Sequence, residues 1–167
     1  MIENEISEQN PQLIPIQPES IISSDRILFL NNRNKNDVLA ALSENLAAAP
    51  QIKNRQELKT EILKREELMS TTIGFGIAIP HVRLSSVTDL VVSVGICKSG
   101  IDGFYPPDDE KVRLVFMIAA AYNQHAYYLQ TLSYFSSLLK NTGLRESLLN
   151  AQDPQEVYKL LKNNPQP

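Results

Sequence analysis

The chain has no tryptophan, a single cysteine, two histidines and six glycines among its 167 residues. One cysteine, Cys97, closes no internal disulfide, which excludes a disulfide-stapled scaffold and favours a reduced, cytoplasmic setting. It stands in an apolar run and reads as a small buried hydrophobe. No apolar run approaches the ~18 residues that a spanning helix requires. The N-terminus lacks both a basic region and an apolar h-region, so it is not a secretory signal. Basic runs are missing and the net charge is −3, which excludes a general nucleic-acid binder. His81 and His125, with no His-x-x-His and no paired cysteines, form no recognisable metal-ligand set. A nucleophile-elbow motif is also absent, which argues against a serine hydrolase.

What is present suffices for one domain: 43% of the residues are apolar. Residues 1–19 are rich in Glu, Asn, Gln and Pro and read as a flexible tail, and residues 164–167 as a second, short one. The domain is expected over 20–163. Ile27-Leu28-Phe29-Leu30 is a strand candidate. A helix is predicted over 34–48, with Val38, Leu39, Leu42 and Leu46 on one stripe, and a second over 54–67. Strands are predicted over 76–79, 90–97 and 112–119; the last two are nearly continuous apolar runs, so both faces are buried. Residues 99–111, with two glycines and two prolines, read as a loop. A helix over 125–140 follows, then an interruption at Gly143 and a short helix over 144–150. Asp153-Pro154-Gln155-Glu156 starts the last helix, with an N-cap, Pro at N1 and an acid at N3. The order fits an α/β fold: a small mixed β-sheet flanked by helices in a three-layer sandwich.

Chemistry concentrates between Ser70 and His81. Two glycines, Gly74 and Gly76, precede an apolar segment that ends on Pro80 and His81. Proline biases Ile79 toward extended backbone, so the chain runs in as a strand and presents His81 at its end. Gly74 and Gly76 permit positive φ, and their amides suit an anion cradle. Imidazole with a pKa near ~6.5 is largely neutral at neutral pH and is a competent nucleophile. The same pattern also suits a structural histidine after a buried strand.

From Arg65-Glu66 through Ser70-Thr71, Ile73-Gly74-Phe75-Gly76 and Ile77 to His81, the chain resembles an active-site signature. It is that of the enzyme IIA domains of the phosphoenolpyruvate-dependent sugar phosphotransferase system, the PTS EIIA type-2 class of fructose/mannitol and nitrogen-regulatory proteins. Their signature reads approximately R-E-x-x-x-S-T-x-I-G-x-G-I-A-I-P-H. The resemblance implies the same α/β architecture and a phosphotransferase-type phosphocarrier that needs no cofactor. His81 would take a phosphoryl group from a histidine-phosphorylated carrier protein, HPr or its nitrogen-branch counterpart. It would pass the group to a downstream protein, a transporter IIB component or a regulatory target. Arg65 is the natural guanidinium partner of the phosphoryl oxygens, and at a helix end it also complements the dipole. Ser70 and Thr71 supply hydroxyls to the phosphoryl group or to the turn after the helix. Arg83, two residues past His81, shares its face if the chain stays extended. Glu66 pairs with an arginine or faces solvent.

The chain departs from this pattern where the family carries a second histidine before a leucine, early in the helix after the last core strand. Tyr128 stands there, before Leu129, and His125 lies three residues earlier on the same helical face. Either would support the site. The loop Phe104-Tyr105-Pro106-Pro107-Asp108-Asp109-Glu110 keeps an aromatic but lacks the acidic neighbour common in relatives. A freestanding nitrogen-type regulatory protein is the leading expectation, since no membrane segment and no second domain accompany the signature. A sugar-specific EIIA and a non-phosphorylated binding module are the alternatives.

Overall fold

The computed structural model describes residues 15–31 and 34–164. Short elements come first: helix α1 (Pro18–Ile21), a 3-10 turn (Ser24–Arg26) and strand β1 (Ile27–Phe29). Two helices follow, α2 (Lys35–Ala47) and α3 (Arg55–Leu68). Each opens on an asparagine whose side chain accepts from the amide three residues on: Asn34 from Asp37, and Asn54 from Glu57. Three short strands carry the signature: β2 (Thr72–Gly74), β3 (Ile77–Ala78) and β4 (His81–Leu84). The long pair β5 (Val91–Ile101) and β6 (Val112–Ala121) forms the centre, and α4 (His125–Leu138), α5 (Thr142–Asn150) and α6 (Pro154–Asn163) close the described chain.

Strand order is β1-β5-β6-β3-β2, with β4 also on β6. β5 and β6 are antiparallel, while β1 runs parallel to β5, and β3 and β4 parallel to β6. Side chains alternate across the central strands, so each strand feeds two cores. Val92, Val94, Ile96, Leu114, Phe116 and Ile118 pack with residues of α4, α5 and α6. Val91, Cys97, Val115, Met117 and Ala119 pack on the opposite face with residues of α2 and α3. Both strands are therefore near-continuously apolar, and helices cover the two faces in three layers.

Several boundaries differ from those expected. Most of the expected tail, residues 1–14, lies outside the described residues, as do 165–167. Residues 15–19 belong to the fold: Ile16 is 2% exposed and Pro18 opens α1. β5 continues past residue 97 to Ile101 because a register shift and Gly100, at φ 84°, carry it over the irregularity. Gly143 sits inside the first turn of α5 and does not interrupt it; Asn141 caps that helix through the Leu144 amide. The strand expected over 76–79 is split. Pro80 has no N–H to continue the ladder, so β3 ends at Ala78 and His81 starts β4.

Candidate functional site

His81 is the first residue of β4 and pairs with Ile118 of β6. The break at Pro80 lets the imidazole fold back on its own backbone: Nδ1 lies 2.6 Å from the Ile79 carbonyl oxygen. A carbonyl only accepts, so Nδ1 carries the proton and donates, and the lone pair is on Nε2. Nε2 faces Arg65 Nη2 at 3.5 Å. This is longer than a strong N–H···N bond, and the guanidinium is held by its other arm, which donates to the Met69 carbonyl at 3.0 Å. Arg65 lies in the last turn of α3, a helix that packs against β4. Arg65 and His81 thus meet because α3 packs against β4.

An open hollow of about 370 Å³ lies at His81, and Arg65, Leu68, His81, Arg83, His125 and Tyr128 are among the residues that line it. Arg83 is on the same face of β4 as His81, with buried Val82 between them. It donates to the Tyr122 carbonyl at 2.9 Å and stacks over the Tyr122 ring at 4.7 Å. The Tyr128 ring centroid is 5.6 Å from that of His81, inclined at 56°. His125, one turn earlier on α4, is exposed at the rim. Burial pushes the His81 pKa below its ordinary value, and Arg65 adds to that; the Ile79 bond and Glu66 oppose it. Burial raises the Tyr128 phenol, against the pull of Arg65 and Arg83, so it is a neutral hydroxyl donor. A neutral imidazole thus shares its hollow with two arginines and a tyrosine.

The family model for "Phosphoenolpyruvate-dependent sugar phosphotransferase system, EIIA 2" matches residues 20–164. The chain belongs to this family. Among its relatives, the fructose-specific EIIABC component of Bacillus subtilis is 34% identical over 137 residues, 82% of this chain. This chain spans only 21% of that protein's length. A nitrogen regulatory protein of Bradyrhizobium diazoefficiens is 28% identical, covering 87% of this chain and 91% of its own. The same fold is found in nitrogen regulatory protein IIA-Ntr from Neisseria meningitidis, with TM-score 0.77, 24% identity and 86% and 97% of the two chains covered. It is found again in enzyme IIAMTL of Escherichia coli, solved in complex with phosphorylated enzyme IIBMTL (TM-score 0.72, 24% identity, 86% and 98% covered).

Other parts of the EIIA signature are used differently from the expectation. Glu66 is 4% exposed and pairs with Lys35 at 3.1 Å, where an arginine or solvent was expected. It accepts from the Thr71 amide at 3.3 Å and from the Thr71 hydroxyl at 2.6 Å. The Thr71 proton is therefore committed to a carboxylate and is not offered to the hollow. Ser70 Oγ lies 3.1 Å from Thr72 Oγ1 and within reach of the Thr72 amide, the role of a turn-satisfying hydroxyl. Neither residue is among those lining the hollow.

Gly74 and Gly76 do not form an anion cradle at His81. They flank the turn joining β2 to β3, where Gly74, Phe75 and Gly76 all have positive φ, at 87°, 58° and 73°. The Phe75 amide donates to Asp108 Oδ2 at 2.8 Å, and that bond holds the Asp108 carboxyl below its usual range. The anion on this turn is the protein's own side chain. Lys35 escaped the sequence reading altogether: it is remote from the signature, and nothing in its local pattern announces a partner on α3.

Proposed function

We propose that this protein is a phosphocarrier in which Nε2 of His81 accepts a phosphoryl group from a histidine-phosphorylated, HPr-like carrier protein. The observation that carries the reading is the tautomer: Nδ1 is pinned to the Ile79 carbonyl, which leaves the lone pair on Nε2 facing the hollow and Arg65. In the transfer, the donor's N–P bond breaks as a bond forms between phosphorus and Nε2. The donor imidazole leaves with the electron pair, so no cofactor, base or added proton enters. Positive charge developing on the His81 ring is stabilised through Nδ1–H by the Ile79 carbonyl dipole. The protein's task is orientation and charge stabilisation. Arg65 meets the equatorial oxygens with a planar fork, Arg83 adds a second cation, and the Tyr128 hydroxyl donates a hydrogen bond where relatives carry a second histidine.

The phosphorylated form adds about two negative charges to the rim of the hollow. A partner surface that accepts one state is repelled or attracted by the other. We read the downstream role as regulatory, in line with the nitrogen regulatory relative matched along nearly its whole length. The fructose-specific relative supports a second reading, transfer onward to a transporter IIB component. The test is to incubate the protein with phosphoenolpyruvate, enzyme I and the matched carrier, and to weigh it intact. An acid-labile gain of one phosphoryl group that disappears in His81→Ala supports the proposal; a gain retained in that variant refutes it. Loss of the group to an added fructose-type IIB protein selects the transport reading over the regulatory one.

A further inference from the structure

A second hollow lies toward the other end of β6, outside the site of His81. His81 pairs with Ile118, whereas this hollow is walled by Arg113, five residues earlier on the same strand. Five residues of strand span roughly 17 Å. Its volume is about 220 Å³, below the ~300–1,000 Å³ of sites for drug-sized ligands, which restricts an occupant to a small molecule.

Two features single it out. The first is its charge. The Arg113 guanidinium makes no hydrogen bond or ion pair among the described residues, and its Nε is buried without an acceptor. Glu110 and Glu146, both solvent-exposed, line the same hollow, and neither is in an ion pair among the described residues. A ligand in the hollow does not reach the Arg113 Nε; the terminal nitrogens of the guanidinium, also without an acceptor among the described residues, are the donors it meets. The second is the aromatic wall. Phe75 sits at φ 58°, a backbone region bulky residues avoid, in the turn clamped by Asp108. Its ring is half-exposed at the hollow and stacks on Arg145 at 4.9 Å. Arg145 is itself fixed by donating to the Leu139 carbonyl at 2.7 Å. Strained positions of this kind cluster at ligand clamps.

An unsatisfied guanidinium and two unpaired carboxylates in one small hollow ask for a ligand that carries both signs. A plain anion would meet Glu110 and Glu146, and a plain cation would meet Arg113, Arg145 and Lys111, the last already paired with Asp102. We propose that this hollow binds a free zwitterionic amino acid. Its α-carboxylate lies on Arg113 as a bidentate pair, its ammonium on Glu110 or Glu146, and its side chain between Phe75 and Leu149.

The experiment is a ¹H–¹⁵N shift titration of the full chain with each standard amino acid to about 10 mM, well above a millimolar dissociation constant. Acetate, inorganic phosphate and methylammonium serve as controls. Saturable shifts at Phe75 and Leu149 with at least one amino acid are expected. They should weaken tenfold or more in Arg113→Met and in at least one of Glu110→Gln and Glu146→Gln. Phosphorylation of His81 should be unchanged in all three, which separates this site from the first. No saturable shift with any amino acid would overturn the proposal. So would acetate or phosphate binding as tightly as the amino acids, or unaltered binding by Arg113→Met.

Discussion

At the scale of single residues, phosphoryl acceptance depends on which nitrogen of His81 is free and which neighbours surround it. Its pKa lies below the ordinary 6.5, with burial the leading cause. The folded state therefore favours the neutral ring, and the unfolded state binds the proton more readily. The stability this contributes is present in full above about 6.5 and is lost as pH falls through the lower folded value. A ring ¹⁵N titration should accordingly place the His81 midpoint below 6.5, while a midpoint above it would mean that the Ile79 bond and Glu66 outweigh burial. Tyr128 yields a second prediction. Its hydroxyl is the only part that Phe lacks, so Tyr128→Phe should slow phosphoryl acceptance by about 2–13-fold, the worth of one hydrogen bond of 0.5–1.5 kcal/mol. His125→Ala should have a smaller effect, because the exposed rim imidazole makes no ring contact with His81 like that of Tyr128. Equal rates for wild type and Tyr128→Phe would remove the phenol from the mechanism.

At the scale of elements, the site depends on three segments arriving together. Glu66 fastens them: it joins the end of α3, the start of α2 through Lys35, and the strand entry through Thr71. Removing its charge takes away Lys35's ion-pair partner, leaving only the Phe104 ring at 5.3 Å, and weakens two hydrogen bonds. Breaking a fully buried pair costs about 3–5 kcal/mol. Lys35 retains 19% exposure and thus some water, so Glu66→Gln should cost less, about 1–3 kcal/mol by urea denaturation. A change under about 0.5 kcal/mol would show that the network is dispensable. The helices that flank this network were legible because caps and apolar stripes are local signals, as at Asn34 and Asp153. β2 and β4 were not, since strands of three or four residues carry no periodicity and exist only through their neighbours. The extension of β5 to Ile101 was missed for a related reason: Gly100 reads as a loop residue, and its tolerance of positive φ is what lets the strand continue.

At the scale of the whole molecule, one sheet with two cores places the end of α3, the start of β4 and the start of α4 around a single opening. The near-continuous apolar runs of β5 and β6 announced a sheet buried on both faces, and from that the three layers follow. Within the site, His81, Arg65, Arg83, Tyr128 and His125 all line one hollow. Ser70, Thr71, Gly74 and Gly76 do not join them, because a hydroxyl or an amide serves whichever acceptor the fold brings close. Glu66 takes Thr71, Thr72 takes Ser70, and Asp108 takes the Phe75 amide between the two glycines. Sequence names the donors and acceptors but not which of them the fold has already matched.

The most direct measurement is long-range ¹H–¹⁵N and ³¹P NMR of the phosphorylated, ring-labelled protein. The account predicts phosphorus coupling to Nε2 of His81, with Nδ1 still protonated and bonded to the Ile79 carbonyl. Coupling to Nδ1, or to any residue other than His81, would contradict it.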